Sequence, residues 1–239
     1  MNLLVDIGNT RVKYVLESNG KLSSTKYSHT DEFITRLSQM AIPQSLVLVS
    51  VSNQSFADQC QQWADANQVR FVQVETQASA FGVTNSYTYP TQMGTDRWVA
   101  ILAADYLYPN QTVLIVDSGT ATTIDLVSAN KQHLGGWIIP GVDMMMSALY
   151  QNTAKVKGRI GTVTELDFGQ NTSDNVNLGC WAATMGAIEL AKMLIAKANL
   201  NLEQVIFTGG NGAELQKLSA EQNILEPQLI FYGLKRFLI

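Results

Sequence analysis

Residues 3–10 read LLVDIGNT and residues 114–120 read LIVDSGT, and this repeated stretch decides how the rest of the chain is interpreted. In each copy a short apolar run predicts a buried strand, and the Asp-x-Gly that follows it predicts a tight turn. Extended character resumes after each turn, at Val12 to Leu16 and at Thr122 to Val127. Each copy is therefore expected to form a β-hairpin.

The second half of the chain matches the first at an offset of 111 residues. The residues of the first half that are identical to the residue 111 positions later include Leu3, Val5, Asp6, Gly8 and Asn19. A second pair of apolar strands, each ending in small polar residues, occurs at residues 47–53 and 205–211. The period is far too long for a solenoid, so two copies of one α/β unit are expected. The boundary is placed near Pro109, which gives domains at residues 1–109 and 110–239.

Helical patterns lie between the paired strands. The expected helices run from Phe56 to Asn67, from Asp96 to Leu107, from Ser173 or Asp174 to about Ala198, and from Pro227 to Ile239. Strands that alternate with helices in each half predict an α/β fold in which a mixed sheet is flanked by helices.

Composition narrows the classes of function. The chain has 239 residues, of which 46% are apolar and 15% charged, so it can bury a core without disulfides. Cys60 and Cys180 form no CxxC pair, and His29 and His133 are too few for most histidine-built zinc sites. The net charge of −4, without a Lys/Arg cluster, argues against a nucleic-acid partner. A small-molecule substrate is favoured instead.

The N-terminal sequence indicates a cytoplasmic protein. Its apolar run is broken by Asp6 and is too short for the hydrophobic region of a signal peptide. The sequence has no run of eighteen apolar residues, so no membrane association is expected.

Two strands that each end in Asp-x-Gly predict a cleft between two similar domains, with a carboxylate and a glycine turn from either side. The N–H groups of a glycine turn can approach phosphate oxygens, and the hydroxyls of Thr10 and Thr120 can add hydrogen bonds. Asp6 could hold Mg²⁺ or a water bound to it, and Lys13 could neutralise a phosphate. These features favour ATP chemistry, although a single Asp in this position can also form an Asx turn.

Six motifs follow one another along the chain. They are DIGNT at residues 6–10 with Lys13, GTDR at 94–97, DSGTATT at 117–123, GGWIIPG at 135–141, NT at 171–172 and TGG at 208–210. Together, in this order, they resemble the motifs of the type III pantothenate kinases. The resemblance implies an α/β fold of two duplicated actin-like (ribonuclease H-like) domains with an interdomain cleft.

The resemblance also implies an activity. The family phosphorylates the primary hydroxyl of pantothenate with ATP and forms 4'-phosphopantothenate, the first step of coenzyme A biosynthesis. Mg²⁺, a monovalent cation (K⁺ or NH₄⁺) and a homodimer are expected with it. The alternatives are a non-catalytic nucleotide-binding regulator of the same fold, or a kinase for another small hydroxyl or carboxylate acceptor.

Roles for individual residues follow from the same resemblance. Asp96 is expected to be the general base, Asp117 a ligand of the monovalent cation, and Asp6 a contact for a Mg²⁺-bound water. The residues expected to contact ATP are Asp6, Ile7, Gly8, Asn9, Thr10, Arg11, Val12, Lys13, Thr120, Gly209 and Gly210. The residues expected to contact pantothenate are Tyr87, Gly94, Thr95, Asp96, Arg97 and Thr172.

The acceptor-side pair also has a chemical rationale of its own. A carboxylate at Asp96 can take a proton from a hydroxyl, and a guanidinium at Arg97 can bind a carboxylate, and pantothenate carries both groups. Asp96 could instead cap the helix that it opens, and Arg97 could merely neutralise a neighbouring acid. Tyr89 is the alternative to Tyr87 in the acceptor pocket.

Overall fold

The chain divides into two compact units. A computed structural model describes residues 1–8, 11–50, 54–152, 161, 163, 165–219 and 223–238. Unit 1 consists of Met1–Leu107 and Gln228–Ile239, and unit 2 of Tyr108–Pro227.

The elements are numbered along the chain. The strands are β1 (Asn2–Ile7), β2 (Arg11–Ser18), β3 (Lys21–Leu22), β4 (Lys26–His29), β5 (Ser45–Ser50), β6 (Arg70–Gln73), β7 (Ser79–Ala80), β8 (Val83–Thr84), β9 (Val113–Ser118), β10 (Ala121–Val127), β11 (His133–Pro140), β12 (Gln204–Thr208) and β13 (Ile224–Leu225). The helices are α1 (Thr30–Gln39), α2 (Gln54–Ala66), α3 (Thr95–Leu107), α4 (Val142–Asn152), α5 (Thr172–Lys197), α6 (Gly212–Leu218) and α7 (Leu229–Lys235), and a 3-10 turn covers Pro90–Gln92.

The main sheets of the two units have the same strand order. In unit 1 the order is β3-β2-β1-β5-β6, with β4 also paired to β2, and in unit 2 it is β11-β10-β9-β12-β13. The first strand of each unit lies in the interior of its sheet, antiparallel to the strand that follows it and parallel to β5 or β12. This common topology confirms the α/β class, the two hairpins and the mixed sheet in each unit.

Both faces of the unit 1 sheet are covered, which explains the unbroken apolar run of β1. On one face Leu3 and Val5 pack in a core with Phe33 of α1 and Phe56 of α2. On the other face Leu4 packs in a second core that includes residues of α3 and α7. The helix predicted from Phe56 to Asn67 is confirmed as α2, and the one predicted from Asp96 to Leu107 as α3.

Helix α7 joins unit 1, whereas residues 110–239 were expected to form one domain. The apolar side chains of Phe231 and Leu234 are buried in the same core as Val99 of α3. Gly233 allows the close approach, because a Cβ atom there would overlap the main-chain oxygen of Val99. Arg236 then donates hydrogen bonds to Leu102 O (2.7 Å) and Asp105 Oδ2 (2.9 Å). The helix is shorter than the predicted Pro227 to Ile239.

Unit 2 packs its sheet against the long helix α5. Leu114 and Val116 of β9 share a core with Trp181 and Ile188 of α5. Among the described residues α5 alone has the length and apolar composition of a membrane span, with 39% of the relevant window buried. A core helix of a water-soluble protein passes that same test, so this is weak support for a membrane segment.

The start of α5 differs from the prediction. Ser173 or Asp174 was expected to be the cap, but Asn171 is the N-cap, and its side-chain oxygen accepts a hydrogen bond from Asp174 N at 3.0 Å. Asn171 is in extended conformation, as an N-cap residue should be, and its amide also donates to Asp174 Oδ2 at 2.6 Å.

Candidate active site

The first glycine turn connects β1 to β2. Gly8 N donates a hydrogen bond to Arg11 O at 3.0 Å, so the chain reverses within four residues. Ile7 and Val12 flank the turn with side chains buried in the apolar core, so that only their main chain could contact a nucleotide. Arg11 is exposed. Asn9 and Thr10, which were also expected to contact ATP, lie outside the described residues.

Asp6 and Lys13 face each other across this hairpin. They are partners in the β1–β2 register, and Lys13 Nζ lies 3.5 Å from Asp6 Oδ2. Asp6 is only 8% exposed. Burial raises the pKa of Asp6 above its ordinary value; the charge of Lys13 lowers it, and the negative charge of Asp96 raises it again. Asp6 and Asp96 are therefore close enough to interact, although ninety positions separate them.

Asp96 lies in the first turn of α3. The helix begins at Thr95, so Asp96 is inside it and not at the N-cap position that was the alternative. Its Oδ1 accepts a hydrogen bond from Arg97 N at 2.8 Å. A Cβ atom at Gly94 would lie 2.6 Å from the same Oδ1. Glycine at position 94 thus makes room for the Asp96 carboxylate.

Arg97 is buried and contacts Tyr87. Its Nη1 donates a hydrogen bond to the Tyr87 hydroxyl at 2.8 Å, and its guanidinium carbon lies 5.7 Å from the centre of the Tyr87 ring. Tyr89, the alternative, is 65% exposed. Tyr87 thus contacts the Gly-Thr-Asp-Arg segment through Arg97.

Thr76 and Asn85, which sequence reasoning did not identify, form hydrogen bonds with residues 87 and 93–95. Thr76 Oγ1 donates a hydrogen bond to Met93 O at 3.0 Å and lies 3.2 Å from Thr95 Oγ1. Asn85 Oδ1 accepts a hydrogen bond from Tyr87 N at 3.0 Å, and Asn85 Nδ2 lies 3.4 Å from Met93 Sδ. Neither Thr76 nor Asn85 belongs to a motif, so no local signal in the sequence marks them.

Unit 2 has a second glycine turn at the equivalent position. Gly119 N donates to Ala121 O at 2.9 Å, which closes the turn between β9 and β10. The hydroxyls of Ser118 and Thr122, both fully buried, lie 2.9 Å apart on either side of it. Thr120 is exposed within the turn.

The Gly-Gly-x-x-x-Pro-Gly motif packs on this turn through Gly141. Gly141 N donates a hydrogen bond to Thr120 O at 3.0 Å. A Cβ atom at position 141 would overlap the main-chain oxygens of Gly119 and Thr120. Only glycine fits at this distance from the turn.

The Thr-Gly-Gly motif packs against residues 117 and 118, next to the second glycine turn. Gly209 has φ +83° and follows the end of β12, and a Cβ atom there would overlap Asp117 Oδ1 and Ser118 O. Asn211 N donates a hydrogen bond to Ser118 O at 2.9 Å. A Cβ atom at Gly210 would meet nothing within 4 Å. Three motifs that are distant in sequence thus meet around Asp117 to Thr120.

Thr172 lies in a groove of unit 2. It is exposed at the start of α5, and the groove, of about 690 Å³, runs between α4 and α5. The other lining residues include Pro140, Met144, Leu149 and Gly179. The lining is mainly apolar apart from Thr172 and Asn175.

Comparison with known proteins identifies the family. The family model for type III pantothenate kinase matches residues 2–192. The chain belongs to the type III pantothenate kinase family. The type III pantothenate kinase of Colwellia psychrerythraea is 37% identical, covering 99% of this chain and 100% of its own. That of Pseudoalteromonas translucida is 34% identical, covering 98% and 94%.

Family membership decides among the alternatives for function. A type III pantothenate kinase uses ATP to phosphorylate pantothenate for coenzyme A biosynthesis, so the chain is an enzyme and not a non-catalytic regulator. The activity expected from the motifs is thereby confirmed, and so is the use of ATP.

Solved structures support the fold. A protein from Campylobacter jejuni assigned to the Baf family of transcriptional activators superposes with a TM-score of 0.66 at 23% identity, covering 98% of this chain and 96% of its own. A protein from Sinorhizobium meliloti assigned as a 2-dehydro-3-deoxygalactonokinase gives 0.62 at 12% identity, covering 99% and 97%. At these identities the likeness concerns the fold alone, which is the actin-like kinase fold expected for pantothenate kinases of type III.

We expect Asp6→Asn to stabilise the ligand-free kinase at neutral pH. The raised pKa means that the folded state favours the neutral carboxyl, so this contribution to stability is present below the unfolded pKa, about 3.9, and is lost as the pH rises through the folded pKa. Asparagine is neutral at every pH. The free energy of unfolding in urea, measured between about pH 4 and pH 8, should favour the variant increasingly as the pH rises.

The control is Asp65→Asn, at an exposed position of α2. It should alter the free energy of unfolding little at any pH. A difference between Asp6→Asn and the native chain that stayed constant with pH would contradict the effect of burial on Asp6.

Proposed function

We propose that Asp96 is the general base that takes the proton from the primary hydroxyl of pantothenate as ATP phosphorylates it. The observation that carries the proposal is the grouping of Asp96, Arg97, Asp6 and Lys13 in unit 1. One end of this group has the Asp96 carboxylate and the buried guanidinium of the next residue, Arg97, and the other has a carboxylate paired with an ammonium. An acceptor with a hydroxyl and a carboxylate matches the first end, and a phosphate matches the second.

On the acceptor side, Arg97 and Tyr87 would bind the pantothenate carboxylate. The Arg97 guanidinium is buried and already oriented by the Tyr87 hydroxyl, so little side-chain freedom would be lost on binding. Gly94, Thr95 and Thr172 are the other residues that we propose for contacts with pantothenate. With Asp96 held by Arg97 N, the base is positioned before the substrate arrives.

On the nucleotide side, the residues that we propose for contacts with ATP include Lys13 and the main chain of Ile7, Gly8, Arg11 and Val12. Thr120, Gly209 and Gly210 are proposed for the same role. Phosphoryl transfer has a loose transition state, so positioning and neutralisation of charge supply most of the acceleration. Lys13 is partly exposed, so its ammonium has room to turn toward a phosphate.

Mg²⁺ would bind largely through ATP. The described residues include no group of three or more His, Cys, Asp or Glu side chains that could hold a metal. Mg²⁺ keeps several waters and usually needs only one or two carboxylates besides the phosphates, and Asp6 at the first turn fits that role. The ion would neutralise charge that develops on the phosphate oxygens.

We expect Asp96→Asn to lower kcat by about 10²- to 10⁴-fold, because an amide cannot accept the hydroxyl proton. ATP affinity, measured by calorimetry, should stay the same, since Asp96 acts on the acceptor. Coupled detection of ADP with pantothenate as acceptor measures kcat. The matched control is Asp31→Asn, which changes an exposed acid in the first turn of α1 and should leave kcat unchanged. A native kcat in Asp96→Asn would contradict the assignment of Asp96 as the general base.

Asp117 would bind a monovalent cation, K⁺ or NH₄⁺. Two oxygen atoms, Asp117 Oδ1 and Ser118 O, lie together beside the main chain of Gly209 and could be ligands of the cation. Carboxylate and carbonyl oxygens suit such ions. A cation there would place positive charge next to the second glycine turn and assist phosphate binding.

We expect Asp117→Ala to raise the K⁺ concentration for half-maximal activity by at least about tenfold, because loss of a second-sphere partner alone often weakens a metal site by that factor. The measurement is kcat against KCl and NH₄Cl at constant ionic strength. Asp65→Ala, an exposed change in unit 1, serves as control. An unchanged K⁺ profile in Asp117→Ala would refute the cation role.

We also propose that the protein is a cytoplasmic homodimer that associates through α5. Gly179, Ala183, Gly186, Leu190 and Met193 recur every three or four residues along the exposed side of that helix. Met193 is 68% exposed, and no atom would contact a Cβ at either glycine. These five residues carry no charge and three of them are small, which suits close packing against a second copy.

We expect Leu190→Glu to convert the dimer to monomer, because it places a charge in the proposed contact. Sedimentation velocity measures the mass. The control is Ile42→Glu in unit 1, where the native side chain is 61% exposed. A monomeric native protein, a Leu190→Glu variant that stays dimeric, or native protein that partitions into lipid vesicles would each contradict this assignment.

A further inference from the structure

We infer that Thr76 is a positioning residue for phosphoryl transfer, and that it acts by fixing the Asp96 carboxylate through Met93 and Thr95. The inference rests on the proposed role of Asp96 as the base. Thr76 is remote from that residue in sequence and belongs to none of the six motifs.

Thr76 holds the chain on both sides of Gly94. It is a buried residue in the loop between β6 and β7. Its hydroxyl donates to the carbonyl of Met93 at 3.0 Å and is hydrogen-bonded to the Thr95 hydroxyl at 3.2 Å. A single side chain therefore fixes the residue before Gly94 and the residue after it.

The position of Gly94 in turn limits where the Asp96 carboxylate can lie. Asp96 Oδ1 would be 2.6 Å from a Cβ at position 94, so the carboxylate rests directly against the glycine. Arg97 N donates to the same oxygen at 2.8 Å from the other side. A shift of the Met93–Thr95 segment would move Gly94 relative to Asp96 Oδ1, while Arg97 N, on the other side of that oxygen, would stay in place.

Asn85 supports the same segment but by a different route. It contacts the Met93 side chain and the main chain of Tyr87, and so joins the acceptor-side tyrosine to the loop. Thr76 contacts the main chain and the Thr95 hydroxyl instead. Removal of the Thr76 hydroxyl should therefore change the orientation of Asp96 while Tyr87 and Arg97 remain in contact.

The test compares Thr76→Val, which keeps the shape and removes the hydroxyl, with Thr76→Ser, which keeps the hydroxyl. A displacement of about 1 Å in a catalytic group lowers a rate by about 10²-fold, and a smaller shift by less. We expect kcat to fall by about 10- to 100-fold in Thr76→Val. KM for ATP should stay the same, because the Met93–Thr95 segment lies on the acceptor side, and Thr76→Ser should recover most of the native kcat.

Thr184→Val is the matched control. Thr184 is fully buried in α5 and donates a hydrogen bond to Cys180 O at 3.2 Å, so this variant also removes a buried donor to a carbonyl. Both valine variants should lose thermal stability to a similar degree, but only Thr76→Val should lose kcat. Equal kcat in the two valine variants would overturn the inference.

A double-mutant cycle separates the inference from the proposed base. Because Thr76 acts through Asp96, Thr76→Val should cost no further kcat in an Asp96→Asn background. The same fractional loss in both backgrounds would overturn the role of Thr76 and leave the base assignment standing. A native kcat in the Asp96→Asn single variant would instead contradict the proposed role of Asp96 as the base.

If Thr76→Val does not fold, Thr76→Ala and Thr76→Ser form a second pair that differs by the hydroxyl alone. A lower kcat in the alanine variant, at equal KM for ATP, supports the inference. Equal kcat in the alanine and serine variants overturns it.

Discussion

The middle position of β1 and β9 in their sheets is the constraint on which both glycine turns depend. Each strand is hydrogen-bonded along both edges. Asp6 is the penultimate residue of β1, and Asp117 is the penultimate residue of β9. A change of register would break two ladders at once and reverse every side chain, so the carboxylates are fixed relative to the turns. The same placement removes Asp6 from water, and its raised pKa is the consequence.

The motif glycines make room for oxygen atoms of the protein itself. Gly94 lies against the Asp96 carboxylate, Gly209 against that of Asp117, and Gly141 against the carbonyls of the second turn. Glycine turns are usually explained by the approach of a phosphate to the main chain. In this kinase at least three glycines are needed before any nucleotide binds, and two of them position the aspartates proposed for catalysis and for cation binding.

Local patterns predicted the hairpins, the helices α2 and α3 and the repeated sheet, because periodicity and turn residues act over a few positions. Contacts between distant segments escaped the same reasoning. No pattern indicates that Thr76 reaches Met93, that α7 packs on α3 or that the Tyr87 hydroxyl contacts Arg97. Asn171 was missed as the cap because Ser173 and Asp174 are equally good candidates by type.

The assignment of α7 to unit 1 has a consequence for how the chain is made. Residues 108–227, the whole of unit 2, are synthesised between α3 and the helix that covers it. At about 5–20 residues per second, those 120 residues take roughly 6–24 s. During that interval Leu4, Val47 and Val99 lack the apolar cover that Phe231 and Leu234 later provide. Part of the apolar core of unit 1 therefore stays uncovered until α7 has been made, whereas unit 2 can complete its own core without waiting.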